Sequence, residues 1–138
     1  MSQPAASSAA MTRELYHATS VAQVLEPKVN SASASGSYFD LQGYESAMVV
    51  YDVGDWVDGS HALVLRESDD HATWSDVAAG DLIGSLPTVS GASQEKQTYA
   101  VAYVGDKRYL QAKVTITGSP NTGCLIGAVV VRGHRRSQ

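Results

Sequence analysis

The sequence has one cysteine, one phenylalanine and four prolines in 138 residues, and it lacks long hydrophobic runs. A single cysteine, Cys124, cannot form an internal disulfide. The longest apolar runs, Ala47 to Tyr51 and Ile126 to Val131, are far shorter than the ~20 residues of a membrane helix. The first twenty residues lack the basic start and apolar stretch of a signal peptide. We therefore expect a soluble protein that is not secreted by this route and does not bind membranes.

Positive charge is also scarce, because 10 Lys and Arg residues stand against 14 Asp and Glu, for a formal net charge of −4. This balance argues against nucleic-acid binding. The exception is the basic stretch Arg132 to Arg136, which we expect to be a solvated terminus. The charged fraction of 17% lies below the quarter typical of soluble domains, which indicates surface hidden against a partner.

Motifs of catalysis and of metal binding are absent. His17, His61, His71 and His134 show no zinc-ligand spacing, and no nucleophile elbow or glycine-rich phosphate loop occurs. We therefore expect no enzymatic activity, no metal and no cofactor.

Two acidic stretches invite a binding hypothesis, and a structural role explains both. Asp52, Asp55 and Asp58 are clustered as calcium ligands are, but their spacing does not fit an EF-hand loop, so we predict that they form turns. In Glu67 to Trp74, a polar turn is followed by Thr-Trp. Here we predict a hairpin in which an Asp or Ser side chain holds the loop and the Trp packs beneath it.

Short runs rich in Val, Tyr, Ile and Thr, bounded by Gly, Asp, Asn or Pro, are typical of antiparallel β-proteins. Arg108 to Thr117 alternates apolar and polar residues, as a strand with one buried face does. We predict that it forms a hairpin with Tyr99 to Val104, and that Gly118 to Gly123 closes a second hairpin. The expected fold is an all-β antiparallel sandwich or small jelly roll with an extended N-terminal arm. Its strands are predicted near 37–42, 46–53, 61–67, 73–78, 97–104, 108–117 and 124–132.

The same period-two patterns predict the core. The ten positions expected to be buried are Val49, Leu63, Leu65, Trp74, Val101, Leu110, Val114, Ile116, Val129 and Val131.

The chain is expected to divide into residues 1–36, a β-sandwich domain at 37–133 and a basic tail at 134–138. Within 1–36 we predict a loose Ala/Ser-rich tail to about residue 12, an arm from Arg13 to Asn30, and a flexible hinge from Ser31. The arm is too short to form its own core, so its apolar side chains need a surface from another chain or, alternatively, from the domain itself. These candidate contact residues are Leu15, Tyr16, Val21, Val24, Leu25 and Val29.

From Tyr38 to Gly133 the chain resembles a group of small tailed-bacteriophage proteins encoded beside the major capsid protein. The resemblance rests on the Glu67 hairpin with Trp74, on Asp81-Leu-Ile-Gly84 and on Tyr103-Val-Gly-Asp-Lys-Arg-Tyr109. Those proteins look like capsid decoration, or cement, proteins. The resemblance implies a structural protein made in the host cytoplasm and located on the capsid surface of the virion. Its implied partners are the major capsid protein and further copies of itself, as a homotrimer.

Two alternatives remain open at the sequence level. A carbohydrate-binding module would use exposed aromatic residues, and Trp56 on a flat surface beside other aromatics would favour it. A different virion component, such as a head–tail connector or a tail protein, would be distinguished by its position in the particle.

Overall fold

The computed structural model describes residues 5–135, in which one α-helix precedes ten β-strands. The elements are α1 (Ala5–Ala18), β1 (Ser20–Asn30), β2 (Ala34–Asp40), β3 (Tyr44–Trp56), β4 (Ser60–Ser68), β5 (Ser75–Asp76), a 3-10 turn (Ala79–Asp81), β6 (Leu82–Ile83), β7 (Thr88–Val89), β8 (Gln97–Tyr103), β9 (Tyr109–Thr117) and β10 (Cys124–Arg135). Within the described range, no helix has the length and hydropathy needed to cross a membrane.

The strands form two antiparallel sheets. The first sheet has the order β1-β10-β3-β8-β6, and the second has the order β2-β9-β4-β5, with β7 also paired to β4. The first strand therefore pairs with the last, β2 with β9, β3 with β8 and β4 with β7. A long antiparallel ribbon wound into two sheets has this connectivity, which is that of a jelly roll. The predicted all-β sandwich is confirmed.

Both predicted hairpins are wrong. β8 pairs with β3 and β6 in the first sheet, whereas β9 pairs with β2 and β4 in the second. The segment from Gly105 to Lys107 therefore crosses between sheets. The segment from Gly118 to Gly123 does the same, because it leads from β9 to β10 in the first sheet. A short glycine-containing connection has the same sequence signature whether it closes a hairpin or turns the corner of a sandwich.

The core fills the space between the two sheets. Tyr51 in β3 is fully buried, and its hydroxyl donates a hydrogen bond to the carbonyl oxygen of Val64 in β4, which links the sheets. Burial raises the pKa of this tyrosine. The other fully or almost fully buried hydrophobic residues include Val49, Val53, Val89, Val101, Leu110, Ala112, Cys124 and Val130.

Six of the ten predicted core residues are buried: Val49, Leu63, Leu65, Val101, Leu110 and Val114. Ile116 lies at the margin of the core. Trp74 is half-buried outside it, because β5 is only two residues long and the loop lies at the edge of the second sheet. Val129 and Val131 are only partly buried, because β10 turns its even-numbered side chains, including Val130, inward.

The N-terminal region differs from the predicted tail, arm and hinge. Residues 5–18 form α1, and residues 20–30 form β1, an edge strand of the first sheet. Val24 and Leu25 contribute to the core, so the predicted arm docks on its own domain. The predicted hinge contains the start of β2. A Cβ on Gly36 would overlap the carbonyl oxygen of Val24, so this glycine permits the close approach of β2 to β1.

The C-terminal end is more ordered than the predicted tail, because β10 continues to Arg135. Arg132 is held in the fold, since its guanidinium donates to the Asp40 carbonyl oxygen at 2.9 Å and to Ser20 Oγ at 3.0 Å. It also lies 5.0 Å from the centre of the Tyr44 ring. Residues 136–138 lie outside the described part of the chain, as do residues 1–4.

Candidate interaction surface

The structure separates the six predicted contact residues into two groups. Val24 and Leu25 are 2% and 5% exposed, so they pack in the core of their own domain. The other four, Leu15, Tyr16, Val21 and Val29, are all more than half exposed.

Helix α1 stands largely clear of the sandwich. Every residue from Met11 to His17 is exposed, including Met11 at 63%, Leu15 at 66% and Tyr16 at 78%. Met11 and Leu15 are four residues apart and therefore lie on one side of the helix. The helix thus carries apolar side chains that its own domain does not cover.

One row of the outward face of the first sheet is apolar across all five strands. Cross-strand pairing aligns one row of five apolar side chains, from β1 to β6: Val21, Val131, Met48, Ala102 and Ile83. The next row contains Gln23, Val129, Val50 and Ala100. We call these two rows, together with Leu125 and Val29, the apolar face. A solvated antiparallel sheet alternates hydrophobic side chains inward with polar side chains outward, so this face departs from the expected pattern.

The apolar face is not flat. A groove of about 320 Å³ runs along it, and its lining includes Leu25, Pro27, Val50, Leu125 and Val129 together with the polar Gln23, Asp52 and Thr98. A Cβ on Gly127 would approach Pro27 Cγ to 2.9 Å, so the glycine lets Pro27 pack closely against β10. Met48 and Ile83 lie in the adjacent row and are 39% and 63% exposed.

The outward face of the second sheet is more polar, although Ala62 and Val64 of β4 also lie on it. Lys113 lies between Ser35 on β2 and Val64 on β4, and Gln111 lies opposite Arg66. This is the polar half of the alternation predicted for β9.

An aromatic cluster lies at one end of this polar face. Tyr38 stacks on His71 with ring centres 4.8 Å apart, and Tyr109 meets both rings edge-on. Trp74 lies 6.4 Å from Tyr38, centre to centre. These ring contacts join the β4–β5 turn to β2 and β9, and Tyr38 is still 50% exposed.

The β4–β5 turn is the predicted structural hairpin. One Asp70 carboxylate oxygen accepts hydrogen bonds from the backbone N–H groups of Thr73 (2.8 Å) and Ala72 (2.9 Å) and from Ser68 Oγ (2.9 Å). These bonds, with that of Thr73 first, lower the pKa of Asp70 to about 2. The carboxylate holds a turn in which His71 adopts a positive φ of 45°.

Asp52 and Asp55 lie within strand β3, so the prediction that they form turns is wrong. The prediction is confirmed for Asp58, in the β3–β4 turn. Its carboxylate accepts hydrogen bonds from the N–H groups of Gly123 (2.6 Å) and Asn121 (2.8 Å), which lower its pKa. His61, expected at the surface or in a hairpin, is instead fully buried. Its Nε2 lies 2.8 Å from the Asp58 carbonyl oxygen, whereas Nδ1 has no hydrogen-bond partner in residues 5–135. Among those residues, no cluster of three or more His, Cys, Asp or Glu could hold a metal ion.

A polar cleft of about 280 Å³ lies at the end of the sandwich, between the β2–β3 and β8–β9 connections. Beside it, the Tyr103 hydroxyl donates to Glu67 Oε1 (2.7 Å) and accepts from the N–H of Lys107 (3.0 Å). Burial and then Glu67 raise the pKa of Tyr103, so the phenol remains protonated. Lys107 also forms an ion pair with Asp69 at 2.9 Å. These contacts engage Tyr103, Glu67, Lys107 and Asp69 in holding the connections.

Trp56 and Cys124 do not supply a binding or reactive site. Trp56 is half-buried, its Nε1–H donates to the Gly59 carbonyl oxygen at 2.9 Å, and it stacks on no other aromatic ring in the described residues. It therefore does not meet the condition set for a sugar-binding platform. Burial raises the pKa of the Cys124 thiol to about 11, so the nucleophilic thiolate is disfavoured.

Sequence reasoning missed the apolar face as an interaction surface. A signal for it is present: the segments Ala47 to Val50 and Val129 to Val131 are apolar at consecutive positions, which places hydrophobic side chains on both faces of β3 and β10.

Comparison with known proteins finds similarity of structure but not of sequence. No protein-family model matches the chain, and no curated protein matches it. The crystal structure of the SPBc2 prophage-derived protein YomS is similar, with a TM-score of 0.54 and 8% identity over 84% of this chain and 95% of that one. The structure of Desmodium yellow mottle tymovirus gives a TM-score of 0.42 and 9% identity, covering 87% of this chain and 88% of that one. The similarity to YomS shows a shared fold.

Proposed function

We propose that this protein is a structural component of a tailed-bacteriophage virion, and specifically a capsid decoration protein that binds the outside of the major capsid protein shell. The sequence resemblance from Tyr38 to Gly133 supports the phage setting, and so does the fold shared with a prophage-derived protein. A cement protein needs a rigid domain and adhesive elements rather than reaction chemistry. The jelly roll supplies the first of these requirements.

The exposed helix α1 is the observation that carries the attachment hypothesis. Its Met11, Leu15 and Tyr16 side chains are 63–78% exposed and find no cover on their own domain. Burial of such side chains against another protein is favourable by about 25 cal/mol per Å². We therefore assign shell attachment to α1, whereas the greater part of the predicted arm, β1, remains within the sandwich.

Two truncations test this assignment. Removal of residues 1–18 deletes α1 but keeps every strand, so the protein should fold and lose binding to shells assembled from the major capsid protein. Removal of residues 1–30 also deletes β1 with Val24 and Leu25, and it should abolish folding. Circular dichroism and co-sedimentation with shells measure the two properties.

A point variant refines the experiment. Leu15→Glu should reduce shell binding, whereas the matched change Val57→Glu, at a 55% exposed position in the β3–β4 turn, should not. Undiminished shell binding by the chain without residues 1–18 would refute attachment through α1. Binding to isolated tails or connectors instead of shells would favour the other virion locations. The homotrimer implied by the resemblance is an alternative to the two-fold dimer argued below, and the mass of the protein in solution distinguishes the two.

A further inference from the structure

The apolar face has no partner in the described structure. Its side chains are directed away from the core, and Val21, Met48 and Ile83 are 64%, 39% and 63% exposed. Five strands at ~4.8 Å spacing, over the span from Leu125 to Gly133, give a footprint of roughly 600 Å². A footprint of this size is at the upper end of the largest apolar patch on a typical monomer, and such patches are often functional.

We propose that the apolar face binds the same face of a second copy of this chain, in a two-fold arrangement centred near Met48. The footprint is comparable with the ~800 Å² of surface that each partner contributes to a stable complex. A two-fold interface is self-complementary, since the same patch is used by both copies.

The near absence of charge on the apolar face favours a second copy of the chain as its partner. Among the outward positions aligned in the rows and along β10 to Leu125, Asp52 is the one ionisable side chain, opposite Gly127 and Thr98. A charged partner surface would therefore lose its hydration without gaining ion pairs. The apolar face of a second copy offers a match that is equally free of charge apart from Asp52.

The position of Asp52 sets the centre of the pair. Asp52 lies four residues from Met48 along β3, which is ~14 Å in an extended strand. A two-fold axis near Met48 places the two Asp52 carboxylates on opposite sides of the interface and roughly 27 Å apart. That separation exceeds the screening length of ~8 Å at physiological ionic strength, so their repulsion is small.

A two-fold axis that runs along the row of Met48 and Ile83 sets this row against the same row of the second copy. The groove along Leu125, Gly127 and Val129 then lies to one side of the axis. Helix α1 of the same chain does not cover the face, because its apolar side chains are themselves exposed.

Light scattering on the purified full-length chain tests the inference independently of shell binding. The wild type should have twice the 14.6 kDa chain mass. Ile83→Lys, at an exposed position in the two-residue strand β6, should leave circular dichroism unchanged and weaken dimerisation on the order of a hundredfold, because it buries an unpaired charge. The matched change Val57→Lys, outside the apolar face, should leave the dimer intact.

A cysteine variant tests the two-fold centre. Met48→Cys should form a disulfide-linked dimer under mild oxidation, whereas Val57→Cys should not. The native Cys124 is 1% exposed and leaves the background low. A monomeric wild type would overturn the proposal and indicate that another protein covers the face. An oligomer that persists with unchanged affinity in Ile83→Lys would also overturn it, as would cross-linking of the Val57→Cys variant without cross-linking of Met48→Cys.

Discussion

The two sheets bury similar inner faces but present very different outer ones. On the second sheet, Lys113, Gln111 and Arg66 face outward opposite the buried row of Leu110, Ala112 and Val114. On the first sheet, Met48, Val129 and Val131 face outward although Val49 and Val130 already fill the core. The outward hydrophobic residues of the first sheet are therefore additional to those that hold the sandwich together. The contrast indicates a surface selected for contact.

The largest expected difference between the inner and outer faces of the first sheet is tested by truncating neighbouring valines in β10. Val130 is fully buried and Val131 faces outward, so Val130→Ala should cost about 2 kcal/mol of unfolding free energy and Val131→Ala less than about 0.5 kcal/mol. Urea unfolding at a concentration below that of self-association measures both. Equal losses would mean that the outward face is packed within a single chain.

The strands β9 and β10 show what could be predicted from the sequence. In β9 the apolar and polar residues alternate, and the prediction of Leu110 and Val114 as core residues is confirmed. In β10 the run from Ala128 to Val131 is apolar throughout, and the pattern does not indicate which residues point inward. The prediction of Val129 and Val131 is wrong for this reason, and Val130 is buried instead. The inward-pointing residues of β10 could not be identified because its outward-pointing residues, which form part of the apolar face, are hydrophobic as well.

Local sequence patterns also do not show which of the two sheets a strand belongs to. Five of the seven predicted strands appear near their expected bounds at nearly full length, and β2 is shifted by a few residues. Whether two consecutive strands pair depends on contacts far apart in sequence, such as β3 with β8. The edge strand β1 was missed because Pro27 and its irregular register break the period of two.

The link between the sheets offers a second, smaller test. Tyr51→Phe keeps the buried ring and removes the hydrogen bond to the Val64 carbonyl oxygen, so it should cost about 1 kcal/mol. Tyr99→Phe is the control, because the Tyr99 hydroxyl bonds to the Gln94 carbonyl oxygen in a half-exposed loop. Its loss should be less than half as large. Equal losses would show that the inter-sheet bond gains nothing from burial.

The smallest expected effect is a loss of stability in acid that originates beside the polar second sheet. Backbone N–H groups, that of Thr73 first, lower the pKa of Asp70 from 3.8 to about 2. The Arg108 guanidinium likewise lowers that of Asp40. A carboxyl whose pKa is lower in the folded state stabilises the fold above its unfolded pKa. That contribution should therefore decline as the pH falls from about 4 to about 2.

Substitution at the β4–β5 turn isolates the contribution of Asp70. Asp70→Asn retains an oxygen that can accept from Thr73 but does not titrate, so its stability should be lower than that of the wild type at about pH 7 and should converge with it near pH 2. Thr73→Ala is the control, because it keeps the backbone N–H and should keep the pH dependence. Melting temperatures across that range of pH give the comparison. If the melting temperature of Asp70→Asn changes with pH as steeply as that of the wild type between about pH 4 and pH 2, the loss of stability in acid does not arise from the Asp70 turn.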